Sequence, residues 1–309
     1  MIALSTSACD FLYPRINRRS SGTSLDEDDI SEPEDDSGDN PIFDDRNGTV
    51  TFGIYPQTRI DDEDIIAKLN RLESPSSRGW YKYNNEYYAK TVGKLTNTSD
   101  SESAYLKTFN DGTQIVPGQT YWFRCDPIVW DVLEEKSNGE CTLRAQYLLD
   151  THRFDDDNNN YEQSEIRSWL NSEFYDSAFV FSNKSKIVVT HVDNSASQTD
   201  ANSADLACED TEDKVFLQSY QDLGGDSNVR TRVSLNRDYC KDLSDYAFAT
   251  GAYKSASSVS GLYWLRSPSN TTMNNRNVPD VWYILNGSLW YWDVNVYDVA
   301  VNPLITIKR

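Results

Sequence analysis

Asn286-Gly287 constrains this chain more than any other pair of residues. Both residues tolerate the positive φ that a two-residue hairpin turn demands, so their flanks should run antiparallel. The flanks are VWYIL and SLWYWDVNV. Strand side chains alternate between faces. In the second flank Leu289, Tyr291, Asp293 and Asn295 point one way, and Trp290, Trp292, Val294 and Val296 the other. Both faces therefore carry rings, where a half-buried strand would show one plainly polar face. Some of these rings must be exposed or must cover another layer.

The surrounding composition sharpens this. Six aromatics fall between positions 282 and 297, with Asn, Asp and Ser in the gaps, and no Lys or Arg occurs from Asn277 to Leu304. Tyr and Trp supply contact area with few rotatable bonds, and Asn and Ser supply adaptable hydrogen bonds. The segment reads as a ligand-binding face. Its candidate contact residues are Asn277, Asp280, Trp282, Tyr283, Trp290, Tyr291, Trp292, Asp293, Asn295, Tyr297 and Asp298. The competing reading is that these rings are core or cross-strand packing.

Upstream, TVTFGI (49–54) reads as a strand ended by Tyr55-Pro56. Asp61, Asp62, Glu63 and Asp64 precede Ile65, Ile66, Leu69 and Leu72, which marks a helix start and its core face. Residues 80–90 read as a hairpin turning at Asn84-Asn85. Residues 119–133 read as two strands broken at Pro127, and 141–149 pairs with the second. A helix begins at Gln163 or Ser164, with Ile166, Trp169 and Leu170 on one face and Phe174, Ala178 and Phe179 extending it. Residues 186–192 read as a strand, 193–213 as a long loop, 214–220 as a short strand and 242–250 as a helical turn. With no internal repeat, the body reads as one α+β domain over residues 46–309.

The net charge of −20 is unevenly placed: eleven acids and no base lie in residues 26–45. That segment has too few apolar residues to offset its conformational entropy, so residues 1–45 read as a disordered acidic arm. The charge, and the absence of bases from the C-terminal strip, exclude nucleic acid as a partner. No run of about 18 apolar residues exists, so no membrane span is expected. Residues 1–11 lack the basic start and apolar run of an export signal. The compartment stays open between extracellular, cell-surface and phage-associated.

The chemistry-bearing residues are sparse. Two histidines, His152 and His191, exclude a multi-histidine metal site. Five cysteines without a CxxC form no zinc pattern and read as small buried thiols, with one disulfide as the other option. An EF-hand loop from Asp155 would need Gly at 160 and Glu at 166, where Asn160 and Ile166 stand. FDDDNNN (154–160) is thus a solvated turn and helix cap, and no metal or cofactor is expected.

Six ordered motifs carry a family resemblance: FGIYPQTR (52–59), YWFRCDPIVWDVL (121–133), NNYEQSEIRSWLN (159–171), CEDTEDKVFLQSY (208–220), SDYAFATG (244–251) and YWLRSP (263–268). They are similar to a bacterial family of uncharacterised domains ending in a pattern such as GVRPAL; here AVNPLI (300–305) stands there, with Asn302 in place of the usual Arg. That group resembles the C-type-lectin-fold variable proteins of diversity-generating retroelements, in which a reverse transcriptase rewrites adenine-containing codons near the 3′ end. The resemblance implies a C-type-lectin-like fold: a mixed, mostly antiparallel sheet with two flanking helices. It also implies a variable region of about 270–302, scaffold roles for Trp264 (core) and Arg266 (loop anchor), and a non-enzymatic protein that binds a protein or glycan ligand. The lectin calcium motif is incomplete: only Val278-Pro279-Asp280 and Trp292-Asp293 approach it. Two alternatives remain: an oxidase resembling the formylglycine-generating enzymes, which share the fold, and a non-variable structural or docking domain.

Overall fold

Both Asn-initiated turns form in the computed structural model, which describes residues 40–94, 108–200, 203–223, 239–255, 260–270 and 278–309. Asn84 and Asn85 take φ of 48° and 64°, and Asn286 and Gly287 take 52° and 68°. These are the left-handed values that a two-residue hairpin turn needs.

The described strands are β1 (Ile42–Asp44), β2 (Thr49–Arg59), β3 (Tyr81–Tyr83), β4 (Glu86–Val92), β5 (Thr120–Glu135), β6 (Glu140–Ala145), β7 (Asp150–Thr151), β8 (Ile187–Val188), β9 (Thr190–Val192), β10 (Thr211–Asp213), β11 (Val215–Phe216), β12 (Leu262–Pro268), β13 (Asp280–Leu285), β14 (Ser288–Asp293), β15 (Ala300–Val301) and β16 (Leu304–Lys308). A nine-stranded sheet runs β1-β2-β5-β6-β16-β11, with the β3–β4 hairpin on β5 and β8 on β16. A five-stranded sheet runs β14-β13-β12-β15-β7, and β9 pairs with β10 in a separate ribbon. Among the described residues, every pairing between these strands is antiparallel except β12 with β15. The protein is α+β, with mostly antiparallel sheets and few helices.

The helices are α1 (Glu63–Leu69), α2 (Glu165–Trp169), α3 (Tyr175–Ala178), α4 (Phe181–Lys184) and α5 (Asp245–Thr250). The run of acids marks the helix start as expected, and Asp62 caps α1 by accepting from the amides of Asp64 and Ile65. Ser164 caps α2, and a π-turn over Leu170–Phe174 joins α2 to α3. The main core lies between the two sheets and this composite helix. Phe52, Trp130, Ile166, Phe174, Phe179, Trp264, Val281 and Ile305 all contribute to it.

Several expectations need correction. The arm expected over 1–45 overlaps β1, where Ile42–Asp44 pairs with β2; residues 1–39 lie outside the described residues. The strand at 49–54 does not stop at Tyr55-Pro56 but continues to Arg59 past two register shifts. Gly53 makes the first shift possible: it takes φ of 72°, and a Cβ there would stand 2.7 Å from the Phe179 ring. Residues 119–133 form one strand rather than two. Pro127 is tolerated because β4 pairs with β5 only up to Arg124 and the pairing with β6 starts at Trp130, so no described strand pairs with that flank between them. The strand at 186–192 is split: β8 joins β16, while β9 turns away to pair with β10, which lies in the stretch read as loop. The strand at 214–220 shrinks to two residues.

Candidate functional site

Register places the strip's side chains on two faces. Asp280 pairs with Asp293, Trp282 with Tyr291 and Ile284 with Leu289 on one face. Val281 pairs with Trp292 and Tyr283 with Trp290 on the other. The first face packs on a second cluster that includes Leu148, Tyr220, Ala247, Tyr263 and Leu265. The other packs on the main core, where Tyr283 meets Trp264 edge-on at 6.4 Å. The rings appear on both faces because both faces cover a layer.

This divides the candidate residues. Asp280, Trp282, Tyr283 and Asp293 are buried and are not contact residues in this conformation. Trp290, Tyr291 and Trp292 are half-buried, each leaning on a core cluster. Asn295 and Asp298 are half-buried in the chain after β14, and Tyr297 is 66% exposed. Asn277 lies outside the described residues. The accessible part of the strip is therefore the edge strand β14 and the turn that follows it.

Neighbouring elements fix that turn. The amides of Phe154 and Asp155 both donate to the carbonyl of Val294, and Asn159 Nδ2 donates to the carbonyl of Asp280 at 3.0 Å. The Asp155 carboxylate accepts from the amides of Asp157, Asn158 and Glu165, so FDDDNNN is a self-capping turn that docks against the strip. Among the described residues no group of three or more His, Cys, Asp or Glu side chains is arranged to hold a metal ion.

Arg153 was not singled out by sequence reasoning. Its guanidinium donates to the carboxylate of Glu165, contacts Asp156, and donates from Nη1 to the Tyr297 hydroxyl at 2.9 Å. Nothing in a local sequence pattern links positions 153 and 297. Asp298 is held differently: burial raises its carboxyl pKa above the ordinary value.

The two scaffold residues occupy positions that suit those roles. Trp264 is 1% exposed and donates its indole N–H to the carbonyl of His152. Arg266 donates to the carbonyls of Leu217 and Asp193 and to the Asp222 carboxylate at 2.7, 3.2 and 2.8 Å. Asn302 is buried and donates to the carbonyl of Ala145 at 2.8 Å, tying the last strands to the end of β6.

The thiols of Cys125, Cys141 and Cys208 lack the environment of a reactive cysteine. Cys125 and Cys141 are buried, Cys208 and Cys240 are half-buried, and no disulfide links any two of them. Burial pushes the thiols of Cys125, Cys141 and Cys208 up, away from the thiolate form.

Comparison with known proteins gives one assignment. The family described as Domain of unknown function (DUF6273) matches residues 138–309, more than half of the chain, and the chain belongs to that family. No curated protein and no solved structure matches it.

Proposed function

We propose that this member of the DUF6273 family is a non-enzymatic target-recognition protein with a C-type-lectin-like fold. In this reading, β14 and the turn to Asp298 form the ligand-binding surface, within a region of about 270–302 that a diversity-generating retroelement rewrites. The observation that carries the reading is a contrast in one hairpin. Half-exposed Trp290 and Trp292 lean on the main core that holds Val281, Tyr283 and Trp264, half-exposed Tyr291 leans on buried Trp282 of the second cluster, and Tyr297 stays exposed. Rings held on a rigid support present contact area at low entropic cost. Support also comes from the position of the strip, next to the turn at 154–160 and without a basic residue from 278 to 304. The ligand is a protein or a glycan, bound through rings and hydrogen bonds rather than bulk charge.

The DNA around the gene tests this. The reading expects a reverse-transcriptase gene nearby and a near-copy of the 3′ coding segment that differs from it mainly at adenines. Neighbouring DNA without either would remove the retroelement from the account.

A further inference from the structure

β9 and β10 form a three-residue ribbon that joins neither large sheet. Its inward side chains include Val192, Thr211 and Asp213, all buried. Its central outward pair is His191 opposite Glu212. A two-stranded ribbon this short has little support of its own, so its cross-strand pair and the connection between its strands carry weight.

Both ring nitrogens of His191 face carboxylates. Nδ1 lies 3.0 Å from Glu212 Oε1, and Nε2 lies 3.3 Å from Asp210 Oδ2. Asp193 adds a third negative charge to the surroundings of the ring. A neutral imidazole carries one N–H, so one of its nitrogens would turn a lone pair toward a carboxylate. The imidazolium presents an N–H to each. These partners hold the ring's pKa above its ordinary value, the Glu212 hydrogen bond being the largest cause. The side chain is 63% exposed, so it trades protons directly with solvent.

Asp210 has a second task. While Oδ2 faces His191, Oδ1 accepts the Asn194 amide at 2.8 Å. Around that bond the two ends of the β9–β10 connection are drawn together. Asn194 Nδ2 donates to the Glu209 carbonyl at 3.1 Å, and the Cys208 amide donates to the Asn194 carbonyl at 3.2 Å. The adjacent Asp193 meets β12. Its carbonyl accepts from Arg266, and its carboxylate accepts from Gln198, whose own carbonyl accepts from Ser267. The base of the connection thus lies between His191 and the central strand of the sheet that carries the strip.

We propose that His191 is a pH-sensitive clasp: protonated, it steadies Asp210 and with it the base of the β9–β10 connection, and deprotonated it releases that hold. The clasp does not depend on what the strip binds. Linkage gives its sign. With the folded-state pKa raised, the hold is fully present below the ring's ordinary value of about 6.5, for as long as the carboxylates stay ionised. It is lost as pH rises through the folded-state value.

Ring NMR titration and amide hydrogen exchange of the full chain, between about pH 5.5 and 9, test this. His191 should titrate above about 6.5, and lower in both Asp210→Asn and Glu212→Gln. Exchange of the Asn194 and Cys208 amides, corrected for the intrinsic rate, should speed up about two- to fivefold across that titration and stay level in His191→Gln. Asp210→Asn keeps an acceptor for the Asn194 amide but loses the charge, so exchange should be level there too. A ring that titrates at or below about 6.5 overturns the proposal. So does corrected exchange that ignores the titration, or a pH response that survives in His191→Gln or Asp210→Asn.

Discussion

Arg153 reaches across 144 residues of sequence to hold the hydroxyl of Tyr297, while Glu165 holds Arg153 from the other side. The most exposed ring of the strip is thus oriented by a segment outside it. Because Tyr297 stands in solvent, this contact should matter for ring orientation and little for folding. Tyr297→Phe and Arg153→Gln should each change unfolding free energy by less than about 1 kcal/mol in urea titrations. A loss of several kcal/mol would show that Tyr297 is structural.

The rings of β14 should behave differently. Trp290 and Trp292 pack against the main core and Tyr291 against the second cluster. Alanine at Trp292 should cost about 1–3 kcal/mol, whereas alanine at Tyr297 should cost less than about 0.5 kcal/mol. Equilibrium denaturation of the two variants checks the order. Recognition should therefore be probed with Tyr297 variants first, since variants of the three other rings disturb fold and surface together.

Arg266 ties β12 to three backbone or carboxylate acceptors outside its own strand. Lysine keeps the charge but loses the planar fork that reaches Leu217, Asp193 and Asp222 together. Arg266→Lys should cost about 2–3 kcal/mol. Urea midpoints with an unchanged slope would give the value; a midpoint equal to the wild type would refute the anchoring role.

Gly53 and Gly139 make a paired comparison. Both take positive φ, 72° and 82°, but a Cβ meets the Phe179 ring at Gly53 and nothing within 4 Å at Gly139. Gly139→Ala should cost about 1 kcal/mol from backbone strain alone, and Gly53→Ala clearly more, about 2–4 kcal/mol. Thermal unfolding of both variants checks the difference.

The pH dependence of Asp298 has a definite sign. Burial raises its pKa in the folded state above the unfolded value of about 3.9. The folded protein therefore favours the protonated acid. That stability is fully present below about pH 3.9 and is lost as pH rises through the folded value. Asp298→Asn should match the wild type in acid and exceed it at neutral pH, seen as a melting-temperature gap that opens as pH rises. A gap that opens toward acid would contradict the assignment.

Local signals were legible in the sequence where one short-range rule decides. The Asn-initiated turns, the helix start after the acids at 61–64, the helix start at Ser164 and the apolar face of α2 all formed as read. Pairing partners were not legible. Pro127 looked like a break because the gap between β4 and β6 that tolerates it is set by residues far away in sequence. The same holds for the site. Periodicity showed rings on both faces of β14, but burial of Trp282 beneath Tyr220, or Tyr283 beside Trp264, depends on layers that no local pattern encodes. Arg153 carried no signal at all, since its partner lies on another element.

The central claim is that a target-binding surface at β14 and its following turn is rewritten while its support is kept. Sequencing the gene across many clones of one cultured population tests it most directly. The account predicts substitutions concentrated at adenines in codons 270–302, frequent at accessible positions such as half-buried Asn295 and exposed Tyr297 and absent from the codons of Trp264 and Arg266. Substitutions spread evenly along the gene, or without a bias for adenine, would contradict it.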